Sequence, residues 1–114
     1  MEPIDFLIHT GRSDTADAIR EYASRRVAFA LRPFEQQVRC VKLRLIDLNG
    51  PRQGLDSRCS ITVDLVNGRR IFVDATTAWP FASVTRAAGR LSAAVRHELK
   101  RSASRRGLRP GSSV

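Results

Sequence analysis

Residues 38–76 read VRCVKLRLIDLNGPRQGLDSRCSITVDLVNGRRIFVDAT, and this stretch decides the fold. Across 38–47, Val41, Leu43 and Leu45 alternate with Cys40, Lys42 and Arg44, the two-residue period of a strand with one buried face. Asn49-Gly50-Pro51 and Gly54 make 48–57 a loop. A strand over 58–66 follows, with Cys59, Ile61, Val63 and Leu65 inward. Asn67-Gly68 predicts a two-residue hairpin into a strand over 69–76, which turns Ile71, Val73 and Ala75 inward. The three strands share one apolar face. Lys42, Arg44, Ser60, Thr62, Arg70 and Phe72 line the other.

Upstream, Ile4, Phe6 and Ile8 predict a first strand over 3–10, broken at Gly11 and Arg12. Ser13 or Asp14 caps a helix that runs to about Arg32 and is stopped by Pro33. Its apolar stripe is Ala16, Ile19, Ala23, Val27 and Ala30, and Asp17, Glu21 and Arg25 mark a mixed-charge back. Downstream, Pro80 favours a helix start and the helix is expected to reach about Ser102. Phe81, Val84, Ala88, Leu91, Val95 and Leu99 form its stripe, with Trp79 read as a hydrophobic anchor at the entrance. The predicted order is β-α-β-β-β-α, an α+β fold in which two helices cover one face of an antiparallel-containing four-stranded sheet. Residues 1–102 form one domain, and 103–114, rich in Arg, Gly and Ser, are expected to be a basic tail that is disordered when free.

The net charge of +9 is distributed unevenly. Residues 1–76 carry 12 basic and 10 acidic side chains, whereas 77–114 carry eight basic side chains and one acid, Glu98. At 100° per residue, Arg86, Arg90, His97, Lys100 and Arg101 cluster opposite the apolar stripe of the second helix, with Arg96 on the shoulder. A solvated face normally mixes signs, as the first helix does. A face of one sign is the footprint of a polyanionic partner, and arginine forks suit phosphates. A membrane-surface helix would need its apolar side free, and here that side must cover the sheet. Lys42 and Arg44, with Arg70 and Phe72, make a second and weaker basic platform.

Little else suggests chemistry. His9 and His97 lie far apart in sequence, no Cys/His spacing suits a metal, and no glycine-rich strand-to-helix turn suits a nucleotide cofactor. Asp47, Asp56 and Asp64 flank the long loop, where they either meet as a carboxylate cluster or simply offset Arg52 and Arg58; the second reading is preferred. The expectation is a protein that is not an enzyme, with no cofactor and no small-molecule substrate. In the predicted register Cys40 and Cys59 sit five or six positions apart, too far to bridge. Two half-buried, unbridged thiols suit a reducing compartment, and Glu2 and Asp5 do not suit a secretory signal, so the expected setting is the cytoplasm.

Several stretches resemble the bacterial ribosome hibernation-promoting factors and ribosome-associated translation inhibitors. They are Ala18-Ile19-Arg20-Glu21-Tyr22, the span Leu43 to Val63 with Asp47-Leu48-Asn49-Gly50-Pro51-Arg52-Gln53-Gly54, Phe81-Ala82-Ser83-Val84, and Arg90-Leu91. The resemblance covers about residues 4–102. It implies an arrangement similar to double-stranded RNA-binding domains, and binding to ribosomal RNA of the small subunit where messenger and transfer RNA would lie; the protein itself is expected to be a monomer. By position it implies RNA contacts at Arg90 and Arg101, with Arg86, Arg96 and Lys100 nearby. Ala93 stands where the family is often basic, Ala78-Trp79 replaces an acidic pair, and Phe81 replaces a tyrosine. The 114 residues do not include the C-terminal domain by which long members pair ribosomes, and the tail is basic where some short inhibitors are acidic. Two alternatives stay open: a general structured-RNA-binding module or chaperone, and a protein-interaction regulatory domain.

Overall fold

The computed structural model describes residues 5–9, 13–47 and 56–108; the loop 48–55 and the capping side chains of Ser13 and Asp14 lie outside the described residues. The elements are β1 (Asp5–His9), α1 (Ser13–Leu31), a 3-10 segment (Arg32–Gln37), β2 (Val38–Asp47), β3 (Ser57–Leu65), β4 (Arg70–Thr77) and α2 (Pro80–Leu108). The order is β-α-β-β-β-α, an α+β fold, with the strands lying β1-β2-β3-β4 across one sheet.

Alternation explains the strands. Val41, Leu43 and Leu45 of β2, and Cys59, Ile61 and Val63 of β3, are fully buried, while Lys42 and Arg44 between them are exposed and Ser60 and Thr62 half-buried. Val38 is buried as well, three positions from Val41, because the pairing slips between Val38 and Cys40 and the irregularity resets which face points inward. β2, β3 and β4 pair antiparallel. β1 joins β2 in parallel, so the sheet is mixed. A strand that returns through a helix crosses to the far end of the sheet and re-enters in the same direction, which the N-terminal β-α-β order enforces.

The β3–β4 turn differs from the two-residue hairpin that Asn67-Gly68 predicts. Only Gly68 takes a left-handed backbone (φ 91°), and no other described residue has a positive φ, so Asn67 does not adopt the form that a two-residue turn requires of it. The connection is Val66–Gly68: Gly68 N–H donates to the Leu65 carbonyl (3.0 Å) and Leu65 N–H to that of Arg69 (2.8 Å). Asn67 uses its side chain instead, its Oδ1 accepting the Arg69 N–H at 2.9 Å.

Both helices pack on one face of the sheet. Ile19, Ala23, Val27 and Leu31 of α1, and Val84, Ala87, Ala88, Leu91 and Val95 of α2, are buried. α2 runs to Leu108, beyond the expected end near Ser102. Between Arg90 and Arg106 there is neither Gly nor Pro to stop it, and the residues are mostly good helix formers. Residues 103–108, expected in the tail, are therefore helical, and residues 109–114 lie outside those described.

Cys40 opposes Asp64 and Cys59 opposes Leu45, in the predicted register, so the two are not bridged, and the Cys40 thiol donates to Asp64 Oδ2 at 3.3 Å. Burial pushes the Cys59 thiol up to about 12. In the unfolded chain the same thiol ionises near about 8.5. The unfolded state thus loses its proton first, and Cys59 favours folding fully below that pH and progressively less as pH rises toward 12. Urea midpoints are expected to fall between about pH 8 and about pH 11, and Cys59→Ala is expected to shrink that fall. An identical pH dependence in both proteins would mean that the buried thiol does not couple folding to pH.

Candidate nucleic-acid interface

The first turn of α2 is fixed to the sheet by hydroxyls. Ser83 is fully buried; its Oγ donates to the Ser57 carbonyl (2.6 Å) and accepts the Thr77 N–H (3.1 Å). Thr77 Oγ1 accepts the Trp79 N–H at 3.1 Å, closing the chain into the helix. Tyr22 of α1 bonds Thr85 through its hydroxyl and meets Phe81 edge-on at 5.3 Å. Phe81 and Tyr22 do the anchoring expected of Trp79, which is 64% exposed and meets Phe81 edge-on at 5.7 Å. It follows Thr77, the last residue of β4, at the end of the sheet where Asp47 and Ser57 also lie.

With that orientation set, Arg86, Arg90, Arg96, His97, Lys100 and Arg101 are all exposed along α2. The one acid of this helix is turned aside. The Glu98 carboxylate lies 3.1 Å from Arg69 of the β4 approach, accepts from Ser102, and is held below the usual carboxylate range chiefly by Arg69. The outward pole is thus of one sign. Arg90 is partly committed, since its Nη1 donates to the Asp74 carbonyl of β4 at 2.6 Å. Arg96 sits over the Phe34 ring at 5.6 Å, on the flank of α2 that faces α1.

That flank holds residues that the sequence alone did not single out. Between α1 and α2 a cleft is lined by Arg26, Phe29, Ala30, Arg32 and Pro33 on one side and Ala88, Gly89, Ser92 and Arg96 on the other. Among the described residues Arg26 Nε is buried with no hydrogen-bond partner, an arrangement that costs about 1–3 kcal/mol for a lone donor. The available signal was position: Arg26 falls four residues after Tyr22 and four before Ala30, on the edge of the buried stripe.

Lys42 and Arg44 are exposed on the opposite face of the sheet, so the seven expected contact residues form two surfaces. Register places Asp5, Lys42, Thr62 and Phe72 in one row across the four strands. Neighbouring cations there are neutralised: Arg70 binds Asp64 at 2.7 Å and Arg58 binds Asp74 at 2.8 Å. Asp64 lies below the usual carboxylate range, mainly through its hydrogen bond to Arg70. The partner of Arg58 is therefore Asp74 across the sheet, not the acids near the loop. Asp47 opposes Ser57 and accepts its hydroxyl, whereas Asp64 opposes Cys40. Seven strand positions, about 23 Å, separate the two, so they form no carboxylate cluster. Among the described residues no group of three or more His, Cys, Asp or Glu converges, and no helix is long and apolar enough to cross a membrane.

The sequence matches no family model and no curated protein, whereas solved structures match its fold. The N-terminal domain of Protein Y from Thermus thermophilus superposes with a TM-score of 0.66 at 30% identity, over 84% of this chain and 98% of that one. A ribosomal subunit interface protein from Coxiella burnetii superposes with a TM-score of 0.64 over 84% of this chain and 97% of that one; at 15% identity it bears on the fold alone. The architecture is that of the small β-α-β-β-β-α domains these proteins share. Through its likeness to Protein Y, the chain belongs to the family of ribosome hibernation-promoting factors and ribosome-associated translation inhibitors.

Proposed function

We propose that this chain is a non-enzymatic, stoichiometric ribosome-binding factor of the cytoplasm. In this reading it docks as a monomer on small-subunit ribosomal RNA through Arg86, Arg90, Arg96, Lys100 and Arg101, occupies the decoding channel, and lowers translation in idle or stressed cells. Lys42 and Arg44 supply a second contact from the sheet. The observation that carries the reading is the single-signed pole of α2, with Glu98 withdrawn to Arg69, on a domain of this family.

The mechanism is occlusion. An exposed arginine array neutralises phosphates and releases their condensed counterions, which gives affinity without base reading, as shape recognition of folded RNA requires. The packed sheet behind the helix then fills the volume that a substrate RNA would need. Residues 103–114, with Arg105, Arg106 and Arg109, add charge and electrostatic affinity without being essential to docking. Stationary-phase lysate sedimented through a sucrose gradient tests this directly. The protein is expected to comigrate with small subunits or whole ribosomes, and a position among free proteins would sink the reading.

A further inference from the structure

The cleft between α1 and α2 is cationic and apolar at once. Its lining contains three arginines, a phenylalanine, a proline and no acid. A purely solvated groove has no need of that combination, but an anion carrying an aromatic ring matches both halves of it. Phe29 is 65% exposed, with the Arg32 guanidinium 5.7 Å from its ring centre, so an aromatic surface is presented at the mouth. Arg96 is held in place over Phe34 on the other side. Arg26 also lines the cleft, and its buried Nε–H finds no acceptor among the described residues.

Gly89 is the independent observation. It lies inside a 29-residue helix, where glycine is the poorest residue short of proline. A Cβ added there meets nothing within 4 Å, so no neighbour in the chain requires its absence. What the missing side chain leaves is open space on the cleft wall opposite Arg26 and Phe29.

We propose that this cleft is a nucleotide pocket, in which one unstacked nucleotide lays its base against Phe29 and Pro33 and sets its phosphate between Arg26 and Arg96. The proposal rests on the RNA-binding reading and deepens it, because Arg96 belongs both to the cleft and to the basic side of α2. A strand lying along the pole can then deliver a bulged nucleotide into the cleft without leaving the helix. Stacking on an exposed aromatic is indifferent to base identity, so the pocket senses unpairing rather than sequence.

The test uses the full chain and two RNA duplexes of equal length, one fully paired and one with a single bulged 2-aminopurine, compared by fluorescence anisotropy. The wild type is expected to bind the bulged duplex about tenfold more tightly, the effect of one stacked base, with a change in 2-aminopurine emission. Gly89→Leu fills the cleft with a better helix former and removes no charge. It is expected to melt no lower than the wild type and to keep its affinity for the paired duplex while losing the preference for the bulge. Equal affinities in the wild type, or a preference that survives Gly89→Leu in a folded protein, would overturn the pocket. Once the preference is seen, adenosine monophosphate identifies the source: competition shows that a free nucleotide suffices, and its absence confines the pocket to nucleotides within a chain. Bulge preference without ribosome comigration would sink the ribosome reading alone, and comigration without preference would sink the pocket alone.

Discussion

Replacing Arg86, Lys100 and Arg101 together by Gln is expected to lower the affinity for ribosomes on the order of a thousandfold at about 50 mM salt, and far less as salt rises. Each phosphate that is no longer neutralised takes close to one unit from the slope of log affinity against log salt, so the slope should flatten by roughly two to three units. All three side chains are exposed, and none enters an ion pair among the described residues. Glutamine keeps the helix propensity close to that of Arg and Lys, so melting temperature should hardly move. Arg90 is left in place because its bond to the Asp74 carbonyl would mix a folding effect into the result. Unchanged affinity and slope would make the pole an ordinary solvated face and move the binding surface to Lys42 and Arg44.

Leu91→Ala should destabilise the protein by about 2–5 kcal/mol. Leu91 is fully buried in the core cluster between Val84 and Val95, and a truncated side chain there leaves a cavity that a packed sheet and helix cannot close. For a domain whose total stability is of the order of 5–15 kcal/mol, that is a large share. It should appear as a fall in melting temperature of roughly 10 °C or more. A change below about half a kcal/mol, the scale of surface substitutions, would mean that the face of α2 is assigned wrongly.

Where a residue's fate depends on its own element, the sequence is a good guide. The alternation in 38–47 and 57–65 identifies the buried side chains of β2 and β3, and the stripe from Val84 to Val95 orients α2 and thereby exposes its arginines. Cys40 and Cys59 can be placed correctly because register follows from which residues must share the core. Where fate depends on a second element, pattern is silent. Arg26 reads as a flank of a solvated helix until α2 is laid beside it, and Arg58 can be paired with Asp74 only once β3 and β4 are in register. Trp79 misleads for a related reason: its size argues for burial, but the neighbours it meets are decided by how β4 and α2 join, and among the described residues it stays exposed. The turn at Asn67-Gly68 is legible as a turn, but its length is set by where Leu65 and Arg69 have to meet.

The bond from Arg90 to the Asp74 carbonyl has a consequence for how the protein behaves in a crowd. β4 is the outermost strand of the sheet, and the unpaired backbone groups of such a strand are a template on which another chain can grow by strand addition. A guanidinium lying across one of those carbonyls has to be displaced before an incoming strand can bond there, and its charge repels other copies of an already cationic chain. Arg90 therefore guards the rim of the sheet against aggregation.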